Sequence, residues 1–294
     1  MDLSTRRVLF DGLWFGEGPR WDGTRLWVSD QHANTLYWVE EGRTSVRAKF
    51  DDMPSGIGFL PDGTALVAAM RSCRLLAVQG ESDPPELFVD MSKWGPQIND
   101  MLTDSRGNTY VGVRSGGYAQ PPQGSDTIVL VTPEGEMRLV EEDLRAPNGM
   151  VVTPDGGTLI VASTMGRQIV AYDIADNGDL ENRRLWASLT DGAIPDGMCL
   201  DAEGMAWVGN PGENPRFLRI AEGGEIVDEI PVGPGDMAIA CVFGGPDRST
   251  LYLIVNNENG DDIHRFPNPG DEHDSRFRGR VEAVECSVPG AGIP

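Results

Sequence analysis

The sequence predicts an all-β fold, a six-bladed β-propeller of four-stranded antiparallel blades, on three observations. One short motif recurs along the whole chain, the copies lead into hairpin turns, and no segment carries a helical period of useful length. The clearest copy is Pro147-Asn148-Gly149-Met150-Val151-Val152-Thr153-Pro154-Asp155-Gly156, a polar residue followed by an apolar run and a Pro-Asp-Gly turn. That is the pattern of a short strand and its hairpin. Counting eight residues back from the turn glycines Gly63, Gly107 and Gly204 puts Ser55, Asn99 and Asp196 in the place of Asn148. In the first copy the hairpin is two residues shorter and Glu17-Gly18 takes the place of Asn148-Gly149. Near Gly244-Gly245-Pro246-Asp247-Arg248 the sixth copy offers Ala240. Units of about forty residues with room for four strands each are the signature of a propeller. A sandwich or barrel would not require aligned copies.

Each unit can be filled in order. Before each copy lies a second apolar segment closing in a turn, at 8–13, 48–53, 86–91, 138–144, 184–189 and 226–232. Blade four carries the full meander, with strands expected over 149–152, 158–163, 168–173 and 182–187. Pro154-Asp155-Gly156-Gly157, Met165-Gly166-Arg167 and Asp176-Asn177-Gly178 supply its turns. The strand at 7–10 has no blade before it, so it is expected to complete the last blade beside 279–287 and close the ring. Residues 1–294 then form one domain, with 39% hydrophobic content ample for its core.

Composition narrows the partners. With 24 Lys+Arg against 46 Asp+Glu the net charge is −22, and the field of such a protein repels phosphate backbones. Nucleic acid is not an expected partner. The N-terminus lacks the apolar core of a signal peptide, and no run approaches the roughly 20 apolar residues that cross a bilayer. A cytoplasmic protein acting on a small molecule, without a membrane partner, is expected; oligomeric state is not legible. Cys73, Cys199, Cys241 and Cys286 are far apart and form no Cys-x-x-Cys pair, so they read as small core residues.

The chemistry lies in the repeat. In a propeller the inner strands line a central channel, so the aligned positions Glu17, Ser55, Asn99, Asn148, Asp196 and Ala240 converge on the axis at one mouth. Carboxylates, carboxamides and a hydroxyl focused on one point make an oxygen-rich cage suited to a hard divalent cation, with water completing roughly 6 to 8 ligands for calcium. Asn-Gly and Asp-Gly are also common turn dipeptides. Here, however, the hairpin turn is already supplied downstream, so the polar pair has no turn left to make.

Five ordered motifs spanning essentially the entire chain resemble one family. They are Glu17-Gly18-Pro19-x-Trp21, Asn99-Asp100, Ala146-Pro147-Asn148-Gly149, Pro195-Asp196-Gly197 with Asp201-x-x-Gly204-x-x-Trp207, and Phe243-Gly244-Gly245-Pro246-Asp247. The resemblance is to the senescence marker protein/gluconolactonase/luciferin-regenerating-enzyme family. It implies a six-bladed propeller, lactone hydrolysis, and one divalent metal held by Glu17, Asn148 and Asp196, with Asn99 near metal and substrate. Calcium is the expected ion; zinc, manganese, magnesium and iron(II) remain open for an oxygen site of this kind.

The same resemblance marks where substrate choice departs. Sugar-lactone members carry an arginine two residues before the Asn-Asp pair, and this chain has Gln97. The loop running from Arg114 through Tyr118 lacks the acid that sugar-lactone members supply there, which argues against a simple sugar lactone. Ser55, Gln97, Asn99, Arg114, Tyr118 and Phe15 are the substrate-binding candidates. Trp14, Phe15, Trp94 and Tyr118 could form an apolar lid or simply pack blades. His32, near Glu17, is a candidate for proton transfer alongside Asp196 and Asn99, since histidine titrates near neutrality; lining of the pocket or a surface turn is its alternative. His264 and His273 read as solvated loop residues. Arg71 and Arg114 could bind a substrate carboxylate, or bridge to the many acids.

The expected reaction is opening of a lactone ring by metal-activated water, with Asp196 orienting or deprotonating that water. No Gly-x-Ser-x-Gly is present, and no Ser or Cys has a histidine suggested beside it. Phosphotriester hydrolysis, a lyase or isomerase step on the same metal, and a non-catalytic binding propeller with structural calcium are the alternatives.

Overall fold

Strands begin and end where the turn glycines require in the computed structural model, which describes residues 3–80, 83–116, 124–257 and 278–294. Gly63, Gly107, Gly156 and Gly204 all adopt the left-handed backbone that favours glycine and close their hairpins. The result is a ring of antiparallel blades. The innermost strands are Gly16–Trp21, Pro54–Phe59, Gln97–Thr103, Pro147–Val152, Met198–Asp201 and Asp236–Gly244, in blades one to six. Blade four comprises Pro147–Val152, Thr158–Ser163, Gln168–Ile174 and Leu180–Ser188, within two residues of the expected bounds. In blade one the outer strand is Arg43–Lys49 rather than 48–53; its last residues pair with the third strand before the chain turns inward.

Arg7–Leu13 pairs antiparallel with Gly279–Glu285, with Arg7 opposite Ala283, and becomes the outer strand of blade six. The first and last parts of the chain thus share one sheet, which closes the ring. A second device lies at the other end of the chain. Gly290–Ala291 adds a fifth strand to the channel side of blade five, and Ile293 exchanges backbone hydrogen bonds of 2.8 and 2.9 Å with Val152 of blade four. Arg248 donates to the carbonyls of Ala291 and Gly292, pinning this segment across the end of the channel that the inner strands run towards.

Burial explains the residue patterns. Inner strands are covered on both faces and read as nearly continuous apolar runs; every residue of Asp236–Gly244 is buried. Outer strands alternate or are largely exposed, as in Leu180–Ser188. The core is divided into clusters between neighbouring blades: Leu66, Met91, Met101 and Val129 join blades two and three, and Val151, Trp186, Leu200 and Val208 join four and five. All four cysteines are free and buried, as expected of core residues. The helical content of the described residues is one short 3-10 turn, Leu3–Thr5, and no helix is long and apolar enough to cross a membrane.

Candidate metal centre and active site

The polar residue of each repeat sits at a kink in its inner strand. In blades two, three and four the pairs Ser55-Gly56, Asn99-Asp100 and Asn148-Gly149 stand where the neighbouring strand has a single residue, a β-bulge that turns the first side chain off the ladder. In blade one the extra pair is Gly18-Pro19, directly after Glu17. In blade five Asp196 and Gly197 both bond Gly209, at 2.9 Å each. The glycine after the polar residue is required by close approach. A Cβ on Gly149 would lie 2.4 Å from the Asp196 carbonyl oxygen, and one on Gly197 would lie 2.3 Å from the Ala240 Cβ. These dipeptides therefore are not hairpin turns; they let adjacent inner strands touch around the channel.

That packing corrects one position. Ala240 meets Gly197 as Gly197 meets Gly149, so the counterpart of Asp196 in blade six is Ile239, whose carbonyl accepts from Gly197 N at 3.0 Å. Ile239 is the residue bulged between Ala238 and Ala240. The blade-six turn matches that of blade two, but the inner strand runs one residue further past its bulge before the turn, which moved the count by one. The sixth position is apolar in either case.

Glu17, Asn148 and Asp196 come together at the mouth. Glu17 and Asp196 are both buried. Burial, reinforced by the charges of Asp196 and Asp100, pushes the Glu17 carboxyl well above its ordinary value, against the opposing pull of the Gly18 N–H and Arg20. Asp196 is likewise raised by burial and by Asp100, while a hydrogen bond with Asn148 lowers it. Burial and mutual repulsion disfavour the ionised form of both carboxyl groups, and a cation placed between them would stabilise it. The donor set of carboxylate and carboxamide oxygens is the kind a hard divalent ion takes. Among the described residues no three His, Cys, Asp or Glu side chains gather for a metal, so the carboxamide of Asn148 is needed to complete a three-residue set.

Beside this set Asn99 is half-buried, and its Oδ1 accepts from Ser55 Oγ at 3.3 Å. Gln31 Nε2 donates to the same Ser55 Oγ at 3.1 Å. Ser55 thus orients Asn99 through a relay beginning in blade one. His32 is buried, its ring 5.1 Å from that of Phe15. Burial, helped by the charge of Arg71, lowers its pKa to about 4, so it is neutral at pH 7. Gln97 is buried and lies opposite Arg114 across blade three. Arg114 is ion-paired with buried Asp126 at 3.2 Å, and Asp126 also accepts from Ser115 N, Ser115 Oγ and Ala146 N. Arg71 bridges to Asp52 at 3.1 Å. Both arginines therefore serve acids of their own blades. Trp94 packs on the core of blades two and three, the bland of its two readings. Tyr118, His264 and His273 lie outside the described residues.

Two residues escaped the sequence reading. Asp100 is buried in the channel, and Arg20 Nη2 donates to its Oδ1 at 3.1 Å. The signal was present: Arg20 is a charged residue on an otherwise covered strand, three positions after Glu17. A cavity of about 420 Å³ opens between blades one and two, lined by Asp22, Trp27, Trp38 and Arg47, but it lies at the hairpin end of the inner strands, away from Glu17. A smaller one of about 270 Å³, between blades four and five, is at that end too.

Comparison with known proteins agrees with the fold. Residues 15–257 match the SMP-30/gluconolactonase/LRE-like region. Regucalcin of Xenopus laevis is 28% identical over 251 residues, covering 81% of this chain and 82% of that one. Gluconolactonase of Zymomonas mobilis is 26% identical, covering 87% of this chain and 81% of its own. The crystal structure of a calcium-binding protein, regucalcin, from Agrobacterium tumefaciens superposes with a TM-score of 0.79 at 23% identity, over 98% of this chain and 96% of that one. The ring of six blades, its polar mouth and the match over most of its length together place this chain in the SMP-30/gluconolactonase/LRE-like family.

Proposed function

We propose that the protein is a metal-dependent lactonase, acting at the channel mouth on lactones less polar than simple sugar lactones. The observation that carries the reading is the convergence of Glu17, Asn148 and Asp196, two buried carboxylates and a carboxamide whose mutual repulsion a divalent cation would relieve. Calcium is the ion best suited to such oxygens, with other divalent ions able to take the place. When bound, the cation would act as a Lewis acid towards the lactone carbonyl or a water, worth several kcal/mol.

The chain's own residues do the rest. Asp196 accepts the proton of the attacking water as its oxygen bonds to the acyl carbon. Asn99, held by Ser55, presents its amide to the substrate. The ring C–O bond then breaks, the alkoxide takes that proton back from Asp196, and the product carboxylic acid ionises, which releases one net proton at neutral pH. Phe15 and the uncharged His32 give one wall of the mouth an apolar character. Gln97 offers no charge to a polyhydroxylated ring, and Arg114 is engaged by Asp126. Relatives named gluconolactonase and pentonolactonase support the reaction class. The net charge of −22 favours a small-molecule substrate over nucleic acid, and four free buried thiols are in keeping with a cytoplasmic enzyme.

The test is proton release in weak buffer from sugar, aliphatic and aromatic lactones, with metal-stripped protein and each divalent cation added back. Metal-dependent acid release from aliphatic or aromatic lactones is expected. Turnover of gluconolactone above all others would overturn the substrate preference, and no release from any lactone would overturn the reaction.

A further inference from the structure

Arg20 and Asp100 form a buried ion pair in the channel wall that the proposed reaction does not use. Arg20 reaches from blade one past blade two to blade three, where its guanidinium bonds Asp100 Oδ1 at 3.1 Å and the Met101 carbonyl at 2.7 Å; it also bonds its neighbour Pro19 O at 2.9 Å. Both side chains are 6% exposed. The passage is clear because blade two places Gly56 there, where a Cβ would lie 2.8 Å from Asp100 Oδ1. Burying such a pair is costly, and an apolar pair of similar volume commonly packs as well or better. A role in the charge of the channel explains it.

Glu17, Asp196, Asp100 and Arg20 are buried together near the mouth; once a bound cation displaces the protons of Glu17 and Asp196, three negative charges and one positive leave two. We propose that Arg20 is an internal counterion that holds this centre at a charge of −2, matching it to one divalent cation and disfavouring trivalent ions. The inference rests on the metal reading above. Removing Arg20 would leave −3, removing the Asp100 charge would leave −1, and removing both would return −2. Because a cation here interacts with these charges through a poorly screened interior, a unit change alters affinity by about tenfold or more, and more for a trivalent than a divalent ion.

The experiment measures binding of calcium and of terbium(III) to the full chain by calorimetry and terbium luminescence, with circular dichroism as the check on fold. Wild type is expected to bind one calcium. Arg20→Met is expected to raise the preference for terbium over calcium by about tenfold or more. Asp100→Asn is expected to weaken calcium about tenfold, and the double variant to return both affinities to within about threefold of wild type. A purely structural strut would not be rescued by the second substitution. If Arg20→Met does not fold, Asp100→Asn and the double variant decide. An unchanged terbium preference in a folded Arg20→Met protein, or no rescue in the double variant, overturns the counterion role while leaving the metal reading intact. Failure of wild type to bind either ion overturns the metal reading itself.

Discussion

Asp196→Asn is expected to uncouple stability from activity. In wild type, a divalent cation at about 100 times its Kd stabilises the folded state by about 2.7 kcal/mol. At about 2.1 cal/mol/K of unfolding entropy per residue, 294 residues give about 0.6 kcal/mol/K, so the cation raises Tm by about 4 °C. The variant loses one of three protein ligands and one unit of charge, and its affinity falls by about 100-fold or more. At the same concentration, now near or below Kd, the gain is at most about 0.4 kcal/mol and the Tm shift is under 1 °C. Without metal the variant is expected to be at least as stable as wild type. Burial and the charge of Asp100 both disfavour the Asp196 carboxylate, and the Glu17 carboxylate is released from its repulsion. Turnover is expected to fall by about 10²- to 10⁴-fold. Differential scanning calorimetry with and without cation, beside proton-release kinetics, reads both quantities. A variant that keeps wild-type turnover and the full metal-induced shift in Tm would refute the assignment of Asp196 as ligand and base.

Metal-stripped protein is expected to lose stability as pH rises between the ordinary aspartate value of 3.8 and the raised value of about 8. There the folded state binds more protons than the unfolded one, so stability falls with pH; melts of the metal-loaded form across the same range should show no such loss. His32→Phe should keep turnover within about tenfold and leave the pH–rate profile without a change near 6.5, because His32 is already neutral above about 4. A loss of two orders of magnitude would restore it as a proton carrier. Arg248→Ala should free the segment at 290–293, costing about 1–3 kcal/mol in calorimetry and exposing it to limited proteolysis, with cation affinity unchanged.

Much of the fold was legible because a propeller repeats. The turn glycine, the apolar run and the polar residue before it recur at fixed spacing, and each reports a local requirement of backbone or burial. The fourth blade could be bounded within two residues for that reason. Outer strands were less well placed, since half-exposed residues such as those of Arg43–Lys49 carry a weaker alternation. In the sixth blade an inner strand one residue longer shifted the count, and only contact with Gly197 identified Ile239 as the aligned residue. The glycine after Glu17, Ser55, Asn148 and Asp196 was visible, but its cause was not: it answers the inner strand of the next blade.

The site divides in the same way. By itself the sequence determined the ring, the family motifs, and the chemical character of Glu17, Asn148 and Asp196, because these depend on short-range spacing and residue type. Tertiary structure decided which charges share a low-dielectric space. Arg114 and Arg71 proved to serve Asp126 and Asp52, His32 proved to be buried against Phe15, and Arg20 proved to reach Asp100 from two blades away. Such pairings join residues distant in the chain through packing geometry, and their energies depend on burial, which no local pattern of side chains encodes.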